Sequence, residues 1–277
     1  MKHLESHWNS TDGLSIFSQT WEPELLPFKG VVCLVHGIGE HSGRYAHVAE
    51  AFGKEGYVLF TADLRGHGKS EGLRGHADSI DVLMQDIDTL IGQAKKQYPG
   101  LPVILYGHSL GGILTLQYGL TRKPNVKGMI VTSPAMHSSL ELQPVKVLAA
   151  KVLGSLVPKM TLASGLDVTA ISHDPEVIKD YKSDPLVRDR ISVGFGKILL
   201  KVCAYNLEHA AAFSVPLLLM HGKEDIIALP SSSVEFAQSL GSVCQLVLWE
   251  GGFHELHNEL FQNEVFKTMT DWMNAKI

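Results

Sequence analysis

The pentapeptide Gly107-His108-Ser109-Leu110-Gly111 sets a serine between two glycines, with the apolar run Val103-Ile104-Leu105-Tyr106 before it and Ile113, Leu114 and Leu116 after it. An unbroken apolar run of this length reads as a parallel strand buried on both faces, and the residues beyond it read as the start of a helix. Ser109 therefore falls on a tight strand-to-helix turn. The flanking glycines remove Cβ atoms where backbones crowd, so the serine can take a strained conformation that presents its hydroxyl outward. A helix N-terminus behind it favours negative charge developing nearby. The chemistry this suits is nucleophilic attack on an acyl carbon.

A serine hydroxyl is a weak nucleophile unless a histidine takes its proton and a carboxylate orients that histidine, here expected in the chain order Ser, acid, His. The strand-like run Pro216-Leu217-Leu218-Leu219-Met220 leads into His221-Gly222-Lys223-Glu224-Asp225, and Gln245-Leu246-Val247-Leu248-Trp249 leads into Glu250-Gly251-Gly252-Phe253-His254. Each pattern puts a candidate in a loop at the C-terminal end of a strand. His254 is the expected base. Asp225 is the expected acid, favoured over Glu224 because the shorter side chain orients an imidazole more rigidly and its offset from the strand fits better. The third need is a pair of backbone donors for the oxyanion. Val31-Val32-Cys33-Leu34-Val35 opens into His36-Gly37-Ile38-Gly39, so the N-H groups of Ile38 and Leu110 are the candidate pair, while His36 and His108 read as structural histidines.

The elements that must hold these loops follow from periodicity. Leu14 to Trp21 reads as an early strand near the sheet edge, Tyr57 to Ala62 as a core strand after a helical stretch from about Arg44 to Lys54, and Val126 to Thr132 as the strand after the Ser109 helix. Asp78 is expected to cap a helix whose buried face carries Ile80, Leu83, Met84, Ile87, Leu90 and Ile91. Ser232-Ser233-Val234-Glu235 offers a capping box for the penultimate helix. The last helix is expected from about Leu256 to Met273, burying Leu260, Phe261, Val265, Phe266, Met269 and Trp272. Strands alternating with helices point to an α/β architecture with a mostly parallel sheet. Asp63 to Ser70 is glycine-rich but lacks the phosphate-cradling Gly-x-x-x-x-Gly-Lys-Ser/Thr spacing, and reads as a tight turn.

Composition narrows the function classes. At 277 residues and 45% hydrophobic content the chain suffices for one large core carrying an insertion. A net charge of -5 with no basic run argues against nucleic acid as a partner. The three cysteines, Cys33, Cys203 and Cys244, lie in apolar surroundings without Cys-x-x-Cys spacing and read as reduced, buried thiols. His254-Glu255-Leu256-His257 does not match the His-Glu-x-x-His spacing of a zinc helix, so no metal and no cofactor are expected among the fourteen histidines' roles. The N-terminus lacks the apolar core of a secretion signal, and no stretch reaches the ~20 apolar residues of a membrane span. A cytoplasmic enzyme is the expectation.

Residues 135–214 break the strand-helix rhythm between the two core portions, 1–134 and 215–277, and are too long for an ordinary loop. They are expected to form a helical cap. Within it, Pro144 to Pro158 is apolar around nearly the whole helical circumference, relieved only by Lys146, Lys151 and Ser155. Such a helix either packs on both faces or lines an acyl tunnel with one face while another touches lipid or a micelle, a transient peripheral contact.

His36-Gly37-Ile38-Gly39-Glu40-His41-Ser42-Gly43-Arg44-Tyr45, Gly66-His67-Gly68-Lys69-Ser70-Glu71-Gly72, Gly107 to Gly112, Ser183-Asp184-Pro185-Leu186 and His254 to His257 together resemble the monoacylglycerol lipase family, over essentially the whole chain. The resemblance implies an α/β-hydrolase fold, with helices flanking the sheet and a mobile helical cap over a deep acyl channel. It also implies hydrolysis of monoacylglycerol to glycerol and fatty acid, with Glu40, Arg44, Tyr181 and His257 organising a polar pocket for the glycerol end. Read from the residues alone, those four side chains serve equally well as loop braces. Lysophospholipases and broad carboxylesterases are similar to the same family, and a ligand-binding α/β-hydrolase-fold protein without turnover is the alternative of a different class.

Overall fold

A computed structural model describes residues 1–24, 26–137 and 153–277. An eight-stranded sheet comprises β1 (Lys2–Asn9), β2 (Ser15–Glu22), β3 (Gly30–Val35), β4 (Tyr57–Ala62), β5 (Val103–His108), β6 (Gly128–Thr132), β9 (Leu217–Gly222) and β10 (Cys244–Trp249), and the long apolar runs supply β3 to β6 and β9. Their order across the sheet is β1-β2-β4-β3-β5-β6-β9-β10. β1 and β2 run antiparallel to their neighbours, and β3, β4, β5, β6, β9 and β10 are mutually parallel.

Period-two geometry explains why those runs are apolar at every position. Val31, Cys33 and Val35 of β3 point into one hydrophobic cluster, and Val32 and Leu34 into the other. The same split holds for Val103 and Leu105 against Ile104 and Tyr106 in β5, and for Leu217 and Leu219 against Leu218 and Met220 in β9. One cluster packs beneath α2 (Ile80–Gln97), α3 (Leu110–Arg122) and α6 (Pro230–Gln238); the other packs beneath α1 (Ala46–Lys54) and α7 (Gln262–Lys276). The mostly parallel sheet flanked by helices is thus the architecture read from the alternation of elements.

Several local expectations are corrected. Ser79, not Asp78, caps α2: its Oγ accepts the Val82 N-H at 3.3 Å, while Asp78 accepts from His76. The Ser232 to Glu235 box does not form, because Pro230 already occupies the first turn of α6 and Leu229 is its N-cap. The final helix starts at Gln262, after a short 3-10 turn at Leu256–Asn258, which leaves Leu260 71% exposed rather than buried. Cys244 is partly buried, whereas Cys33 and Cys203 are buried, and none of the three forms a disulfide. β1 was not foreseen: Lys2-His3-Leu4-Glu5-Ser6-His7 lies mostly exposed on the sheet edge and owes its form to pairing with β2, His3 stacking on Trp21 at 4.8 Å.

Between β6 and β9 lie a short antiparallel ribbon, β7 (Thr161–Leu162) with β8 (Ile191–Ser192), and the helices α4 (Pro175–Ser183) and α5 (Val193–Glu208). Asp174 and Ser192 cap the two helices by accepting the N-H groups of Glu176 and Phe195. Phe195, Val202 and Cys203 of α5 enter the same cluster as Ile113 and Leu116 of α3, and Asn206 Nδ2 donates to the Ile113 carbonyl at 3.0 Å. The apolar stretch from Pro144 lies outside the described residues as far as residue 152.

Candidate active site

Ser109 sits where β5 turns into α3, with φ 53 and ψ -113, a conformation an L-residue adopts only at a cost of order 1–3 kcal/mol. Two features hold it there. The Ser109 N-H donates to Thr132 O of the neighbouring strand at 2.9 Å, and the chain on either side is glycine because a Cβ on Gly111 would lie 1.9 Å from Val35 O. The turn thereby lifts the serine hydroxyl out of the sheet edge.

The His254 loop leaves β10 and the Asp225 loop leaves β9, the adjacent strand, so the two side chains meet in space across the C-terminal edge of the sheet. Ser109 Oγ lies 2.9 Å from His254 Nε2, and His254 Nδ1 lies 2.7 Å from Asp225 Oδ2. Asp225 Oδ1 accepts the N-H groups of Ile227 and Ala228 at 2.8 and 2.9 Å. His221 Nε2 stands 3.1 Å from Oδ2 and 2.9 Å from the Ala228 carbonyl. Burial opposes ionisation of Asp225, but His254 and His221 outweigh it and hold the carboxyl well below the usual carboxylate range. For His254 burial opposes protonation, and the Asp225 carboxylate outweighs it, raising the imidazole above its ordinary value. Glu224, by contrast, is exposed.

Among the described residues, neither the Ile38 nor the Leu110 N-H donates to a protein acceptor. Leu110 is the first residue of α3, and Ile38, in the loop after β3, lines the cleft at Ser109 together with Gly37, Glu40, His108, Leu166, Ile171, Tyr181, His254 and Glu255. A hydroxyl and a base with its orienting acid beside one cleft can carry out acyl transfer.

The four side chains expected around the glycerol end are not all on this cleft. Glu40 and Tyr181 border it, and Arg44 lies behind them, 2.6 Å from Glu40 Oε2 and 4.7 Å below the Tyr181 ring. His257 is not part of the lining. It is fully buried under His108, 4.7 Å away edge to face, and stacks on Tyr45 at 4.9 Å, with neither ring nitrogen partnered among the described residues. Burial and the neighbouring histidines hold it well below its ordinary pKa.

Glu255 is the residue the sequence reading passed over. It binds Arg44 with both carboxylate oxygens, at 2.8 and 2.7 Å, and accepts from Asn258 Nδ2 at 2.6 Å. The available signal was its position directly after His254, in the loop that carries the expected base. Segment 167–174 also braces the His254 loop, since the Glu255 N-H donates to Ile171 O at 2.8 Å and the Ser172 hydroxyl donates to Asn258 O at 2.7 Å. No cluster of metal-ligating side chains occurs among the described residues.

This chain matches the family model described as "Serine aminopeptidase, S33" over residues 27–260. It is 36% identical over 271 residues to the monoacylglycerol lipase of Mycolicibacterium smegmatis, covering 97% of this chain and 96% of that protein. It is also 36% identical to an uncharacterized abhydrolase domain-containing protein of Dictyostelium discoideum, of which it spans only 28%. The crystal structure of the Paleococcus ferrophilus monoacylglycerol lipase superposes with a TM-score of 0.84 at 32% identity, covering 100% of both chains. The strained serine at the strand-helix turn, the parallel sheet beneath it and these likenesses over the full length converge, and the chain belongs to the monoacylglycerol lipase family of α/β-hydrolases, as a serine ester hydrolase.

Proposed function

We propose that this enzyme hydrolyses monoacylglycerols to glycerol and free fatty acid through an acyl-enzyme. The carrying observation is the hydrogen-bonded line from Ser109 Oγ through His254 to Asp225 Oδ2, at 2.9 and 2.7 Å. Ser109 Oγ attacks the ester carbonyl as its proton passes to His254 Nε2, and Asp225 stabilises the imidazolium. The Ile38 and Leu110 N-H groups bind the oxyanion. His254 then returns the proton to the leaving glycerol oxygen, and water repeats the sequence on the acyl-enzyme to release the acid. The step calls on no cofactor or metal.

The polar wall supports a neutral alcohol. Glu40 and Glu255 face one guanidinium, Arg44, so the wall carries an excess negative charge that disfavours the phosphodiester of a lysophospholipid. Tyr181, with Arg44 stacked 4.7 Å from its ring, frames the space for the glycerol hydroxyls. The described part of residues 135–214 acts as the cap, and its Leu166, Ile171 and Tyr181 line the cleft. Leu156, Val157, Met160 and Leu162 are exposed along one stretch of it, which supports transient contact with a micelle or membrane surface. No helix among the described residues is long and apolar enough to cross a membrane.

The test is product release from a long-chain 2-monoacylglycerol and the matching lysophosphatidylcholine in parallel, with Ser109→Ala as blank. Strong glycerol release with little headgroup product is expected. Preference for the lysophospholipid would overturn the substrate assignment and leave the nucleophile in place.

A further inference from the structure

The amide of Ile38 belongs to the same peptide unit as the Gly37 carbonyl, and in a trans peptide the N-H and C=O point in opposite directions. Whatever holds that carbonyl therefore aims the Ile38 N-H. His36 Nδ1 lies 2.8 Å from Gly37 O. The Leu64 N-H, which can only donate, lies 2.9 Å from His36 Nε2, so the ring proton is on Nδ1 and is given to Gly37 O. His36 is fully buried, and burial holds it below its ordinary pKa in this neutral form.

The other side of Gly37 is held by Glu40. Its Oε1 accepts the Gly37 N-H at 2.6 Å and the Tyr45 hydroxyl at 2.7 Å, while Oε2 takes Arg44 Nη1 at 2.6 Å. Glu40 is only 2% exposed, and a Cβ on Gly37 would meet its Oε1 at 2.7 Å, so position 37 has no room for a side chain while the carboxylate is seated. The next turn is held from outside, where the Arg188 N-H donates to Gly39 O at 2.8 Å.

We infer that Glu40, locked by Tyr45 and Arg44, is a positioning residue for the oxyanion hole: it anchors Gly37 by its N-H while His36 holds the Gly37 carbonyl, and the two together fix the direction of the Ile38 amide. This rests on the acyl-transfer reading above and goes beyond it, because it gives Glu40 a role independent of the alcohol being released. An alcohol-recognising residue must discriminate between leaving groups. A residue that aims an oxyanion donor must act on every ester alike.

The experiment compares a monoacylglycerol with the methyl ester of the same fatty acid, for wild type, Glu40→Ala, Glu40→Gln and Tyr45→Phe. An alkyl trifluoromethyl ketone, whose serine adduct places an oxyanion in the hole, serves as inhibitor. Removing one oxyanion donor outright costs on the order of 10²- to 10³-fold in kcat, so misaiming it is expected to cost roughly ten- to a hundredfold. Glu40→Ala should lower kcat by the same factor on both esters, leave KM within about twofold, and weaken the ketone by a matching factor. Glu40→Gln retains an acceptor for the Gly37 N-H and should recover most of the loss. Where Glu40→Ala does not fold, Tyr45→Phe, which frees one side of Oε1, should show a smaller loss of the same alcohol-independent form. A loss confined to the monoacylglycerol, one carried in KM, or unchanged rates in the folded variants would overturn the inference. Covalent labelling of wild type by a fluorophosphonate keeps the two readings separable: absence of label on Ser109 sinks the acyl-transfer reading itself, whereas a labelled enzyme indifferent to Glu40 sinks only the positioning role.

Discussion

His221 and His254 share one oxygen of Asp225: Oδ2 is 2.7 Å from His254 Nδ1 and 3.1 Å from His221 Nε2. His221 is fixed in turn by Ser233 Oγ, 2.7 Å from its Nδ1. Since the serine hydroxyl can donate to Nδ1, Nε2 carries the proton and gives it to Asp225. Replacing His221 by Leu should leave a folded enzyme whose kcat falls roughly tenfold, because the carboxylate loses a second-rank donor that orients it. Steady-state kinetics on a soluble ester checks this, and unchanged kcat would show that the Ile227 and Ala228 amides suffice.

Ser109→Ala should abolish turnover, to within the residual catalysis of the surrounding site, while leaving the thermal midpoint unchanged or raised. Alanine removes only an oxygen at a position whose backbone strain remains. Calorimetry and ester hydrolysis on the same preparation test it. Activity near the wild-type level would remove Ser109 from the mechanism.

The pH profile follows from His254, which must be neutral to accept the serine proton. Asp225 raises its pKa, so kcat/KM should climb with pH along a limb whose midpoint lies above the ordinary histidine value of about 6.5. Asp225→Asn removes the cause. It should move the limb to lower pH and cut kcat by as much as about 10⁴, through loss of the correct tautomer. An unshifted limb in that variant would show that another group sets it. In stability terms a raised pKa contributes most below the unfolded value, and that contribution fades as pH rises through the folded one.

Acid should destabilise the fold through different histidines. Burial pushes His67 and His108 down to about 4, so both stay neutral in the folded protein while the unfolded chain protonates near 6.5. Between those values the unfolded state binds more protons, and stability falls as pH drops from about 6.5 toward 4. Urea midpoints across that range should decline, and more gently in His108→Gln. Flat midpoints would contradict the neutral, buried assignment.

Arg65 is 3% exposed and bridges the N-terminal hairpin to α2, pairing with both oxygens of Asp86 at 2.6 and 2.9 Å and with Asp12 at 2.7 Å. Arg65→Ala strands the buried Asp86 carboxylate, which burial already pushes toward the neutral form. The expected cost is about 3–5 kcal/mol, read from denaturant unfolding. The folded fraction should keep its kcat, since Arg65 stands apart from the cleft.

What the amino-acid order determined by itself is the framework of chemistry. The apolar runs before Ser109 and Asp225, and the half-buried β10 before His254, mark three loops at one edge of a parallel sheet, because strands packed beneath helices must be largely apolar and the loops must follow them. The same local logic set the Ile38 and Leu110 amides as the candidate oxyanion donors. What the order could not express is which polar groups end up sharing a partner. β1 carries no apolar period and exists because β2 offers it an unpaired edge. Ser79 rather than Asp78 caps α2 because one residue of register decides which side chain reaches the open amides. Glu40 and Glu255, 215 positions apart in the chain, converge on Arg44, while His257 is drawn under His108 into the core. Such pairings depend on long-range packing, where the cost of an unpaired buried charge selects the arrangement only after the sheet has closed.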